Sequence, residues 1–233
     1  MRINEYGQPI GETVPNWQPR PLPQPVTLHG QYCRIEPLQQ HHLPALYRAL
    51  AQAEDWRIWT YFIIGPFDSE STYIEGMTRL MQQPGIWQFT IIDSTTNAPL
   101  GTFSLMRADQ DNGSIEMGWV IYSPLLQRTR IATEAQFLMM QHVFETLGYR
   151  RYEWKCDDLN TPSRNAAQRL GFRYEGTFRN AVVYKDRNRD TAWFAATAQD
   201  WPGLKRQYAQ WLAPDNFDAQ GQQKQPFSTF SST

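Results

Sequence analysis

Seven residues, Gln127-Arg128-Thr129-Arg130-Ile131-Ala132-Thr133, carry the clearest chemical opportunity in this chain. They lie between an apolar-aromatic run, Ile115 to Tyr122 (IEMGWVIY), and a stretch with Ala132, Ala135, Leu138, Met139, His142, Val143 and Leu147 along one helical face. The run reads as a strand that Ser123 and Pro124 end, and Thr129 reads as the N-cap of the helix. A strand entering a helix through a short polar turn leaves N–H groups unpartnered at the positive end of the helix dipole. That arrangement is an anion site suited to a diphosphate. A second short helix, Asn160 to Gly171 (NTPSRNAAQRLG), has Asn160 as N-cap, Pro162 in its first turn and Gly171 at its end. Cys156 lies just before it and reads as buried packing rather than an acyl carrier.

Composition narrows the classes. The chain has 233 residues, with 22 basic and 23 acidic side chains. So even a balance gives no footing for nonspecific nucleic-acid or membrane binding. Cys33 and Cys156 are too few for a disulfide framework, and His29, His41, His42 and His142 show no HExxH spacing, so no metal is expected. No apolar run approaches the ~20 residues that span a bilayer, which makes a cytoplasmic protein the expectation. Nine Trp within 14% aromatic residues point to aromatic packing or a groove for an extended ligand.

The elements that must position these residues follow in chain order. Residues 1–27 are Pro-rich (PNWQPRPLPQP) and predict an arm lying across the domain, with Trp17 as an anchor, or a disordered lead. A strand at Tyr32–Glu36, a helix over Gln39–Ala53, an aromatic segment Trp56–Phe67 and a helix capped by Asp68-Ser69 come next. Strands at Trp87–Ile92 and Pro99–Leu105 then form a meander with the central strand. After the central helix come a strand at Tyr149–Cys156, the Asn160 helix, and strands at Phe172–Phe178 and Ala181–Lys185. A charged turn over Asp186–Asp190 leads to a last strand, Thr191–Ala198. Trp201–Leu212 predicts a terminal helix, and residues 213–233 a polar, disordered tail. The domain is thus residues 28–212. Its class is α+β, a mixed, mostly antiparallel sheet with a right-handed strand-loop-helix-strand crossover. Parallel strands that splay beside the helix N-terminus would open a ligand slot.

At this point the chain resembles the GNAT acetyltransferase superfamily, most closely its RimJ/RimL-like branch. Three segments carry the resemblance: the loop Gln127–Thr133, similar to the acyl-CoA diphosphate loop; Asn160-x-x-Ser163 followed by Gly171-Phe172; and Arg187-Asn188-Arg189-Asp190 before an aromatic strand. It covers roughly Leu28 to Leu212. Arg130 and Ala132 stand where the superfamily has loop glycines, and Ala167 stands where many members carry a tyrosine acid. The resemblance implies a GNAT-like fold and transfer of acetyl from acetyl-CoA to a primary amine by direct attack, the acceptor being a protein N-terminus or a small molecule. It assigns the diphosphate to the N–H groups of Arg128 to Thr133, with the Arg128 and Arg130 side chains as charge partners, and the pantetheine to the main chain of Val120, Ile121 and Tyr122 and to Asn160. Glu116, eleven residues before Gln127, is its candidate base, a carboxylate aimed into an aromatic slot with its pKa raised. The other reading of Glu116 is an ion pair with an Arg on a sheet face. Ser163 is the candidate acid for the leaving thiolate. A homodimer is a further family expectation. The missing tyrosine supports the alternative of a non-catalytic CoA-binding sensor.

Overall fold

The computed structural model of the chain describes residues 2–230. A small hairpin, β1 (Arg2–Ile3) with β2 (Pro9–Ile10), precedes the main sheet. The sheet strands are β3 (Leu28–His29), β4 (Cys33–Pro37), β5 (Ile86–Asp93), β6 (Pro99–Asp109), β7 (Ser114–Tyr122), β8 (Arg151–Asp157), β9 (Arg173–Tyr184) and β10 (Arg187–Thr197). They lie in the order β3-β4-β5-β6-β7-β8-β10-β9. The helices are α1 (Leu43–Leu50), α2 (Glu70–Met81), α3 (Arg130–Gln141), α4 (Thr161–Arg169) and α5 (Trp201–Leu212). Among the described residues no helix is long and apolar enough to cross a membrane.

All neighbours in the main sheet are antiparallel except β7 and β8. The parallel pairing runs only from Ser114 opposite Arg151 to Met117 opposite Trp154, and there it stops. The reason lies in β7. Thr102 faces Ile121 and Ser104 faces Gly118, so Trp119 and Val120 together oppose one residue of β6, and Trp119 takes φ +49°. An extra residue bends the strand and reverses its faces. Before the bulge, Ile115 and Met117 pack into the core under α3 and α5; after it, Ile121 packs with α1 and α2. The bend carries Gly118–Tyr122 away from β8, while β8 continues beside β10 to Asp157.

Two apolar cores flank the sheet. One gathers Phe103, Leu105, Met139, Val143, Tyr152, Phe172, Phe194 and Tyr208; the other gathers Leu43, Leu46, Trp59, Tyr73, Met77 and Leu80. α3 is buried nearly all round, and its Glu134 carboxylate accepts N–H bonds from Gln31, Tyr32 and Cys33 at 2.7–2.8 Å. This clamp joins the edge of the sheet to the central helix.

Several segments differ from expectation. Gln40–His42 is a 3-10 turn, so α1 begins only at Leu43, with Pro44 in its first turn. The closing hairpin is one long β9 and a two-residue turn, Lys185-Asp186, both with positive φ, which matches the twist of the strands. Arg187–Asp190 therefore belong to β10 and are not a turn. Residues 214–230, predicted to be disordered, instead bury Phe217 and Phe227 against Trp211 and Tyr208. Two aromatic side chains suffice to seat a polar segment when each finds an apolar hollow. In the arm, Trp17 Nε1 donates to the Asp111 carbonyl at 2.6 Å, and the Arg20 and Arg150 guanidinium groups lie over its ring.

Candidate active site

The splay between β7 and β8 lies where β7 runs on at Val120–Tyr122 toward the start of α3 and β8 runs on toward the start of α4. At α3, Thr129 is the N-cap and its hydroxyl oxygen accepts from Ala132 N–H at 3.2 Å. Arg128 takes φ +61°, which turns the chain into the cap. The N–H of Thr133 donates to Thr129 O. Among the described residues, the N–H groups of Arg128, Arg130 and Ile131 find no acceptor. Of the six N–H groups expected to hold a diphosphate, that of Thr129 is spent on Leu126 O and those of Ala132 and Thr133 on the cap, and these three are the ones left for an anion. Gln127 is exposed, and its side-chain amide donates back to Tyr122 O at 2.9 Å.

The arginines divide. Arg128 is exposed, and among the described residues it has no acidic partner. Arg130 stacks over the rings of Tyr32 and Phe217, with centroids 4.2 and 5.4 Å away. A third cation, Arg169 from the end of α4, donates to Thr133 Oγ1 at 2.9 Å. Nothing in the sequence ties Arg169 to the loop, because the link forms only when α4 lies beside α3.

At α4, Asn160 is the N-cap, its Oδ1 accepting from Ser163 N–H at 3.2 Å. The indole N–H of Trp154 donates to Ser163 Oγ at 3.0 Å. An indole has no acceptor nitrogen, so Ser163 keeps its own hydroxyl proton for another partner. Cys156 is buried beside Ser163, and burial pushes its thiol pKa up, which keeps it protonated and inert.

Glu116 does not point into an aromatic slot. It is 3% exposed, accepts from Arg107 Nη1 at 2.7 and 2.9 Å, and pairs with Lys155 Nζ at 2.9 Å. Arg107 reaches it because a bulge between Met106 and Asp109 gives Arg107 φ +49°. Lys155 also pairs with Glu153 at 2.7 Å and lies 3.7 Å from the Trp193 ring centroid. Glu153 and Glu175 in turn hold Arg151. The ion-pair reading of Glu116 is the one the geometry supports, extended into a network across four strands.

The aromatic segment and the closing hairpin are tied to one another. Lys185 Nζ donates to Trp59 O at 2.9 Å and to Ile64 O at 3.3 Å, and Arg187 donates to Thr60 O at 2.6 Å. Tyr61 donates to Leu159 O at 3.1 Å. Tyr184 donates to the buried Asp157 carboxylate at 2.7 Å, and burial with that bond pushes its hydroxyl pKa up to about 12. Phe62 stacks on Trp119 at the bulge, with centroids 5.8 Å apart. Trp119 is half-buried, and its position depends on the bulge, which leaves no mark in the sequence.

His42 lies with Glu36 and His41 in a group able to offer three ligand atoms. Its Nδ1 accepts from Gln39 N–H at 3.1 Å and its Nε2 faces Glu36 at 2.8 Å, so both ring nitrogens are already engaged.

A sheet with one parallel pair that parts beside a helix N-terminus defines an acyl-CoA transferase architecture, and residues 33–173 match the acetyltransferase (GNAT) domain family. The chain belongs to that family and is an N-acetyltransferase; the family uses acetyl-CoA as co-substrate. The solved structure of a GCN5-related N-acetyltransferase from Brucella melitensis superposes with a TM-score of 0.88 at 45% identity, over 92% of this chain and 98% of that one. The uncharacterized N-acetyltransferase p20 of Bacillus licheniformis is 29% identical over 158 residues, 66% of this chain and 84% of its own. The ribosomal-protein-serine acetyltransferase of Escherichia coli (strain K12) is 25% identical over 166 residues, 69% of this chain and 90% of its own.

Proposed function

We propose that this N-acetyltransferase binds acetyl-CoA in the β7–β8 splay and acetylates a primary amine, with a protein N-terminus favoured over a small molecule. The observation that carries the reading is the parting of β7 from β8 beside a helix start whose Arg128, Arg130 and Ile131 N–H groups find no acceptor among the described residues. Acetyl-CoA, when bound, supplies an activated acetyl carbonyl and a thiolate leaving group. The N–H groups of Arg128, Arg130 and Ile131, with the Arg128 side chain, hold its diphosphate. The main chain of Val120, Ile121 and Tyr122 aligns the pantetheine as an added strand, and Asn160, besides capping α4, bonds a pantetheine amide. Ser163 gives its proton to the departing sulfur.

Glu116 bears on the choice of acceptor. Both its oxygens are engaged by cations, so it holds Lys155 and Arg107 in place rather than taking a proton. An α-amine, with an ordinary pKa of about 7.7–8.0, presents a substantial neutral fraction near neutrality, whereas a lysine amine near 10.4 does not. With Glu116 committed to cations, the former is the better suited, and the name of the Escherichia coli relative, which specifies a ribosomal-protein serine, points the same way. The test is a set of short peptides with free N-termini and a matched set with blocked N-termini and free lysines, read by thiol release from acetyl-CoA. Acetylation of the first set alone is expected. Acetylation confined to lysines would overturn the acceptor assignment. Absence of acetyl-CoA binding at millimolar concentration would overturn the whole reading in favour of a different donor. Binding of CoA with turnover of no amine would favour the sensor alternative.

A further inference from the structure

Residues 214–230 lie beyond the matched family residues, yet they are built onto the donor side of the molecule. The segment folds back on itself. Asn216 is buried and donates to Trp211 O at 2.9 Å, and its Oδ1 accepts from Gln225 N–H at 2.9 Å. Gln207 Nε2 donates to Phe227 O at 2.9 Å, and Trp211 Nε1 donates to Gln223 Oε1 at 3.0 Å. The two buried rings of this strap each face an arginine at the donor site. Phe217 lies under Arg130, the first residue of α3, and Phe227 lies 5.8 Å from the guanidinium of Arg169.

Arg169 has five N–H donors, and one is spent on Thr133 Oγ1 in the first turns of α3. Among the described residues no carboxylate pairs with it. It opens onto a cavity of about 400 Å³, lined also by Gln168, Gln207, Gln223 and Phe227. That volume lies in the usual range for small-molecule sites, roughly 300–1,000 Å³. A ring face, side-chain amides and an unpaired guanidinium are the groups that take a purine and a phosphate.

We infer that the C-terminal strap completes the donor site, with this cavity receiving the adenosine end of CoA and Arg169, braced by Phe227, binding its 3′-phosphate. The inference rests on the acetyl-CoA reading above. It makes donor affinity depend on a segment outside the family domain, and it makes the protein discriminate CoA from dephospho-CoA.

The experiment is isothermal titration of the full chain with CoA, dephospho-CoA and pantetheine, repeated on Arg169→Gln and Phe227→Leu, with circular dichroism to confirm folding. The intact chain should bind CoA at least about tenfold more tightly than dephospho-CoA, the value of one charge-assisted contact. Arg169→Gln should erase that preference, and Phe227→Leu should reduce it while leaving the charge in place. Equal binding of CoA and dephospho-CoA by the intact chain would overturn the inference and leave the acetyl-CoA reading standing. A preference retained in folded Arg169→Gln would also overturn it. Failure of CoA itself to bind would instead remove the donor reading.

Discussion

Trp154 Nε1 donates to Ser163 Oγ across 3.0 Å, from the last residue of β8 that pairs with β7 to the first turn of α4. The bond spends a lone pair of the hydroxyl and none of its protons, so it orients Ser163 as a donor. Ser163→Ala should lower kcat by about 10²-fold, the ordinary worth of a positioned acid, with little change in KM for acetyl-CoA. Trp154→Phe, which removes only the orienting bond, should cost less. Steady-state thiol-release kinetics on both variants checks this, and an unchanged kcat in Ser163→Ala would remove the residue from the mechanism.

Glu116 is set to fail differently. Replacing it with Gln leaves Lys155 with Glu153 alone and returns Arg107, whose side chain is 60% exposed, to water, a loss of about 1–2 kcal/mol. Chemical denaturation should show that loss, and the pH profile of kcat/KM should keep its shape. A variant as stable as the parent, whose turnover collapses and loses its pH dependence, would make Glu116 the base after all.

Glu134 should be among the least replaceable side chains. Its removal by Glu134→Ala leaves three N–H groups without their acceptor, that of Cys33 buried and those of Gln31 and Tyr32 partly so, at about 1–3 kcal/mol for the buried one and less for the others. A loss of even about 3 kcal/mol corresponds to a fall in Tm of roughly 6–12 °C in a domain this size. Gly30 is bound to the same clamp, since a Cβ there would lie 2.5 Å from Glu134 Oε2. Gly30→Ala should therefore reproduce part of the loss in a melting experiment.

Stability should fall as the solution is acidified from neutrality. Burial lowers the pKa of His142 and is the first cause of lowering for His42, with the charge of His41 second. The unfolded chain then binds more protons than the folded one between the ordinary histidine value of about 6.5 and the depressed native values. Stability is thus fully present above that value and is lost as pH drops through this window. His142 shows desolvation alone, so His142→Leu should flatten the dependence of Tm on pH between 7 and 5. A slope identical to that of the parent would show that other groups govern it.

What could be read in the sequence was what is decided locally. Thr129, Ser69 and Asn160 cap their helices as their side-chain chemistry requires, and β5 lies within a residue of its expected edges, while β6 runs four residues past Leu105 and β8 begins two residues after Tyr149. What could not be read depends on meetings between distant residues. Glu116 meets Arg107 through a bulge and Lys155 through a parallel crossover, neither of which leaves a periodic trace. The tail illustrates a limit of composition: averaging over its polar residues hides two rings that seat it. Arg169 reaches Thr133 only because α3 and α4 lie side by side.

The grip of the closing hairpin on the aromatic segment falls on main-chain carbonyls: Trp59, Thr60 and Ile64 are held by Lys185 and Arg187 through oxygens that every amino acid possesses. Apart from Trp59, whose ring is buried in the core, the side chains between residues 57 and 64 can therefore be exchanged without breaking these three bonds. In a lineage of such enzymes the outline of the opening would be inherited while its lining drifts, and new acceptors could be explored one substitution at a time on an intact fold.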